Sequence, residues 1–132
     1  KPLKQEELEN VLDKAFERIS RFHRELFTIR FGKNVVNLLC RDIVYLESNK
    51  RKVIVHTVRG EYEYYHKLDE AEEELFAISA DFVRIHKAYL VNMEHVEAFQ
   101  YEKLALRDGT ILSISEAHRA NVRSRFWEWG SE

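Results

Sequence analysis

The chain has 132 residues, a formal net charge of −2, one Cys, one Pro and four Gly, with 45% apolar and 12% aromatic residues. That length and apolar content suit one domain of ~100–150 residues with its own core and exclude bulk disorder. A lone Cys40 excludes an intrachain disulfide or a Cys-rich zinc site, and no apolar run approaches the ~18–20 residues of a membrane helix, so a cytoplasmic protein without membrane contact is expected.

Residues 1–25 begin with an amphipathic helix. Leu8, Val11, Leu12, Ala15, Ile19 and Phe22 recur at helical spacing, with Glu6, Glu9, Asp13, Glu17 and Arg18 on the other face. From Leu26 the period changes to short runs of β-branched and aromatic residues. Residues 26–31, 34–39, 42–47, 52–58 and 61–66 read as antiparallel strands, parted by Gly32-Lys33, Arg41, Ser48-Asn49 and Gly60. Residues 68–77 form a short helix, with Leu68, Ala71, Leu75 and Ile78 inward and acidic residues in its first turns, where the helix dipole favours them. Strands follow at 82–86, 88–92, 96–101, 103–107 and 110–114, with Asp108-Gly109 as a hairpin turn. Ser115 is an expected N-cap for a last helix through Trp127, with Val122, Phe126 and Trp129 on one side. The fold class is mainly β, about ten short strands with a short middle helix, a C-terminal helix and the N-terminal amphipathic helix.

The six His lack the paired spacing of a zinc site, and Cys40 sits in an apolar run as a buried small hydrophobe. There is no Gly-rich phosphate loop and no nucleophile elbow, so no enzyme, metal or cofactor is expected. What remains is basic charge. Residues 26–66 carry seven basic and four acidic groups, whereas residues 67–80 hold one Lys and five acids. Lys50-Arg51-Lys52 crowds three cations at a hairpin tip, where mutual repulsion costs a few tenths of a kcal/mol per pair and a polyanion would relieve it. Arg84, His86 and Lys87 form a second basic group, and His118, Arg119, Arg123 and Arg125 a third.

Two stretches, Asp42-Ile43-Val44-Tyr45-Leu46-Glu47-Ser48 and Phe82-Val83-Arg84-Ile85-His86-Lys87-Ala88-Tyr89-Leu90-Val91-Asn92, resemble the signatures of the LytTR family, DNA-binding domains at the C-termini of bacterial response regulators. The resemblance runs from about Leu26 to Trp127. It implies an elongated stack of small antiparallel sheets that inserts loops into successive major grooves of double-stranded DNA, with minor-groove contacts between them. Carried over, the first reading loop is Lys50, Arg51 and Lys52, the second is centred on His86 and Lys87, and the third spans Ser115 to Arg119 with His118. The acidic helix should lie away from DNA. Many relatives have Arg and Ser where Lys87 and Ala88 stand, and Lys lacks the guanidinium fork for guanine. Glu116 would repel phosphate at the third loop.

Lys1-Pro2-Leu3 before the first helix resembles the end of a receiver domain. The expected organisation is therefore a receiver remnant and linker at 1–25 and the DNA-binding domain at 26–132. The implied partners are paired or repeated DNA sites, a second copy of the chain on DNA, and an upstream sensor kinase acting through the missing receiver. The alternative is a protein-interaction or dimerisation module that uses a Trp127/Trp129 end and the N-terminal apolar stripe.

Overall fold

A computed structural model describes residues 25–130, and the expected N-terminal helix with its receiver assignment lies outside them. β1 (Leu26–Phe31) and β2 (Asn34–Leu39) pair as a hairpin from Leu26↔Leu39 to Phe31↔Asn34. Gly32 takes φ 60° in its two-residue turn, a conformation open to glycine at little cost. Alternation turns Phe27, Ile29 and Leu38 to one side, where all three are buried.

Five strands make the central sheet. They are β3 (Ile43–Asn49), β4 (Lys52–Thr57), β5 (Gly60–Tyr65), β6 (Phe82–His86) and β7 (Tyr89–Asn92), in the order β5-β4-β3-β7-β6. Every neighbouring pair is antiparallel. Between β5 and β6 runs α1 (Leu68–Ile78), which buries Leu68, Ala71 and Leu75 at helical spacing. β8 (Val96–Phe99), β9 (Lys103–Leu106) and β10 (Ile111–Ser113) form a third sheet, and α2 (Arg119–Gly130) closes the domain.

Two cores follow from this order. On one face of the central sheet, Ile43, Leu46, Val53, Val55 and Leu90 pack with the β1–β2 hairpin and α1. On the other, Val44, Val83, Ile85 and Val91 pack with Leu104, Leu106 and Leu112 of the third sheet and Val122 of α2. β4 and β5 contribute only to the first core, so Lys52, Ile54 and His56 stay partly exposed on their outer face. The fold is thus a stack of three antiparallel sheets, mainly β, as expected.

Asn92 is the only buried polar or charged residue among the described residues. Its amide Nδ2 donates to the carbonyls of Cys40 (3.1 Å) and Ile43 (2.9 Å), and its Oδ1 accepts from the Glu94 N–H (3.0 Å). It therefore ties the β2–β3 connection to the β7–β8 connection. Cys40 is buried as expected, and loss of solvation together with nearby Glu25 and Asp81 pushes its thiol up to about 12, which keeps it protonated and unreactive.

The start of the last helix differs from expectation. Ser115 precedes a 3-10 turn (Glu116–His118), and α2 begins only at Arg119. The Ser115 hydroxyl meets His118 Nδ1 at 2.6 Å rather than a backbone N–H, so it does not cap the α-helix. The tryptophan end differs too. Trp127 is 79% exposed, but Trp129 packs on the second core and its Nε1 donates to Asp81 Oδ1 at 2.9 Å. No described helix is long and apolar enough to cross a membrane.

Candidate nucleic-acid interface

The β3–β4 hairpin closes with Asn49↔Lys52, which leaves Lys50 and Arg51 as a two-residue turn. Lys50 has φ 59°, the left-handed region that a side chain enters at a cost of roughly 1 kcal/mol. Neither Lys50 nor Arg51 makes an ion pair among the described residues, and both are exposed. Lys52 differs: its Nζ lies 2.8 Å from Glu63 Oε1 and 4.9 Å from the centre of the Tyr65 ring. The hydrogen bond to Glu63 raises its pKa, and the carboxylate offsets its charge. Lys50→Gly is expected to leave thermal stability unchanged or raise it by up to ~1 kcal/mol while weakening DNA binding. A thermal melt beside a gel shift checks both halves.

The β6–β7 turn stands at the same end of the sheet. The Ser48 N–H donates to the Ala88 carbonyl at 2.8 Å, so the second turn adjoins the first through β3 and β7. Lys87 is exposed at its tip. His86 is half-buried, and its Nδ1 accepts from the Ala88 N–H at 3.1 Å. That bond requires an unprotonated Nδ1, which places the proton of the neutral ring on Nε2. Burial lowers the pKa of His86, with Lys87, His118 and Arg84 adding repulsion. The unfolded chain therefore binds more protons as pH falls through the ordinary histidine range, and the turn loses stability on acidification. NMR titration of the His86 ring should give a midpoint below about 6.5; one at or above it contradicts the geometry.

Arg84, grouped with this locus by charge, is turned inward. Its guanidinium holds the carbonyls of His86 and Lys87 and pairs with Asp69 at 2.8 Å and Glu72 at 3.4 Å. The N-terminal half of α1 consequently reaches the second turn, and this acidic helix is not wholly remote from the basic end. Asp69, Glu72, Arg84, Lys87, His118 and Asn121 share one shallow groove there.

The third locus lies on the far side of β6, where the Ser115 N–H donates to the Ile85 carbonyl at 2.9 Å. Ser115 and His118 bond each other, while Arg119 donates from Nε to the Ile114 carbonyl at 3.2 Å and rests 5.7 Å from the Tyr101 ring. Arg125 leaves the locus: it donates to the carbonyls of Ala80 and Phe82 and stacks on Phe76. Charge alone missed Asn121, one helical turn from His118; the i,i+3 spacing was the available signal.

The three loci therefore line one end of the central sheet in a row. The order runs from Lys50-Arg51 through His86-Lys87 to Ser115–Arg119. No described group of three or more His, Cys, Asp or Glu residues is placed to hold a metal ion. A small β domain with cations collected at one end of its central sheet has the form of a nucleic-acid-binding module.

The family is settled by comparison. Residues 33–127 match the model of the LytTr DNA-binding domain, and the chain belongs to that family. It is similar to the Sensory transduction protein LytT of Bacillus subtilis (strain 168), at 23% identity over 137 residues, covering 93% of this chain and 56% of that protein. The chain thus spans little more than half the length of that curated relative. Among solved structures, it is similar to the LytTr DNA-binding domain of a putative methyl-accepting/DNA response regulator from Bacillus cereus. That match has a TM-score of 0.65 and 19% identity, and it covers 77% of this chain and 96% of the other, a likeness of fold.

Proposed function

We propose that this chain is the sequence-specific DNA-binding module of a two-component transcriptional regulator. The observation that carries the reading is the row of exposed cations, Lys50, Arg51 and Lys87, without an ion pair among the described residues, on adjoining turns of one sheet end in a chain of the LytTr DNA-binding family. Adjacent strands stand about 4.8 Å apart, so the first two turns lie only ~10 Å from each other. Successive major grooves are about 34 Å apart, and two such close turns cannot each take one. We assign the major grooves to the ends of the row, Lys50–Lys52 at one and Ser115–Arg119 at the other, as the most widely separated of the three loci. His86 and Lys87 then face the backbone or minor groove between them.

In this arrangement Lys50, Arg51 and Lys87 neutralise phosphates or approach guanine edges, while Lys52, held by Glu63 at 2.8 Å, supports the first turn. His86 offers an Nε2–H, and Ser115, His118 and Arg119 add polar contacts. Glu116 is exposed at the third locus and weakens it for an anion. Occupancy of paired or repeated sites by two copies, and control by a sensor kinase through a receiver domain, complete the proposal.

Each phosphate contact releases condensed counterions, so log affinity should fall with log KCl at a slope of about −3 or steeper for three or more contacts. A gel shift across rising KCl on a site selected from random DNA measures that slope and specificity together. Affinity independent of KCl contradicts the electrostatic reading. No retardation on any DNA at low salt favours the interaction module instead.

A further inference from the structure

We infer that Arg84 is a positioning residue for DNA recognition, holding the β6–β7 turn in the shape from which Lys87 meets DNA without contacting DNA itself. The inference rests on the proposed function, because it assigns a means of building one of that interface's turns. The Arg84 side chain is only 12% exposed. Its Nε donates to the His86 carbonyl at 2.7 Å, its Nη2 to the Lys87 carbonyl at 2.6 Å, and its Nη1 to Asp69 Oδ1 at 2.8 Å. The planar fork is thus divided, with two arms on consecutive turn carbonyls and one on α1.

The rest of the turn is held from the other side. The Ala88 carbonyl accepts from Ser48, and the Ala88 N–H donates to the His86 ring. All three carbonyls from His86 to Ala88 therefore have donors from within the domain. The strand register already shifts between Arg84 and His86, so the β ladder alone does not impose this shape. The electrostatic consequence bears directly on a polyanion. Carbonyl oxygens facing outward would repel phosphate; drawn onto Arg84, they leave the tip to the Lys87 ammonium. Arg84 also draws in Asp69 and Glu72, two carboxylates that would otherwise face the same phosphates unpaired.

Arg84→Lys tests the inference because it keeps the charge and removes the fork: one ammonium cannot occupy the Nε and Nη2 positions together. Affinity for a site selected from random DNA is measured in the full chain for R84K, K87A and the double variant R84K/K87A. R84K is expected to weaken binding about 10-fold, as for loss of one charge-assisted hydrogen bond, with an unchanged salt slope. The double variant is expected to bind no more weakly than K87A, because Arg84 acts through the turn that carries Lys87. Hydrogen exchange should quicken at the Ala88 amide in R84K and stay parental in the two cores. Parental affinity in R84K, or losses that multiply in the double variant, would overturn the assignment. If R84K does not fold, R84Q enters the same cycle under the same criteria. Parental affinity in K87A removes the DNA role of this turn and Arg84's with it, whereas parental affinity in R84K alone overturns only the positioning role.

Discussion

Replacing Arg51 and Lys87 together by Ala is expected to weaken binding to a cognate DNA site by ~10²-fold or more, with roughly 1–3 kcal/mol lost at each position. The two residues stand on adjoining turns of one sheet end, exposed and without an ion pair among the described residues. Their charge is therefore available to an incoming polyanion, unlike that of Lys52, which Glu63 already neutralises at 2.8 Å. Truncating each side chain also lowers the number of counterions released on binding, so the salt slope should become shallower by about one for each phosphate left unneutralised. The single variants separate the roles. An equal loss on cognate and random DNA marks a phosphate contact, and a loss confined to the cognate site marks base reading. Arg51 is the stronger candidate for base reading, because its guanidinium can pair with both guanine acceptors while the Lys87 ammonium cannot. Unchanged affinity in the double variant would remove the DNA role from this end of the sheet.

Asn92→Leu is expected to destabilise the domain by roughly 2–4 kcal/mol, lowering its thermal midpoint by roughly 10–20 °C. Asn92 is 1% exposed and serves two carbonyls and one N–H. Leucine nearly preserves the volume but removes both donors and the acceptor, so the penalty is that of buried polar groups left unpaired rather than of a cavity. Because the carbonyls belong to Cys40 and Ile43 and the N–H to Glu94, the loss falls on both connections that Asn92 joins. Chemical denaturation should show a lower midpoint with an unchanged slope, the mark of lost stability rather than altered compactness. A midpoint within experimental error of the parent would contradict this role.

The strands were legible because each alternates apolar and polar residues over a few positions between turn residues. The Lys50–Lys52 tip was legible because three consecutive cations at a hairpin turn have no low-energy arrangement inside a protein. Arg84, Lys52 and Arg125 were misleading for one shared reason. Charge counting treats every cation alike, whereas each of these meets a carboxylate or carbonyl brought to it by another element: Asp69 from α1, Glu63 from β5, and Ala80 and Phe82 from the entry to β6. Ser115 had the composition of a helix cap, but its hydroxyl bonds a histidine three residues on, and the α-helix starts at Arg119.

The net charge of −2 conceals a basic β region beside an acidic helix. Local composition by itself determined that much, along with the mainly β class and the identity of the basic turns. Which cations face outward was decided only by the tertiary structure. Ion pairing and hydrogen bonding depend on distances between groups far apart in the chain, and strand order sets those distances. The β5-β4-β3-β7-β6 order puts residues 50–51 beside residues 86–87 and carries the first turn of α1 to Arg84. No window of the sequence contains that meeting, because the period of a strand specifies its buried face but not its neighbour.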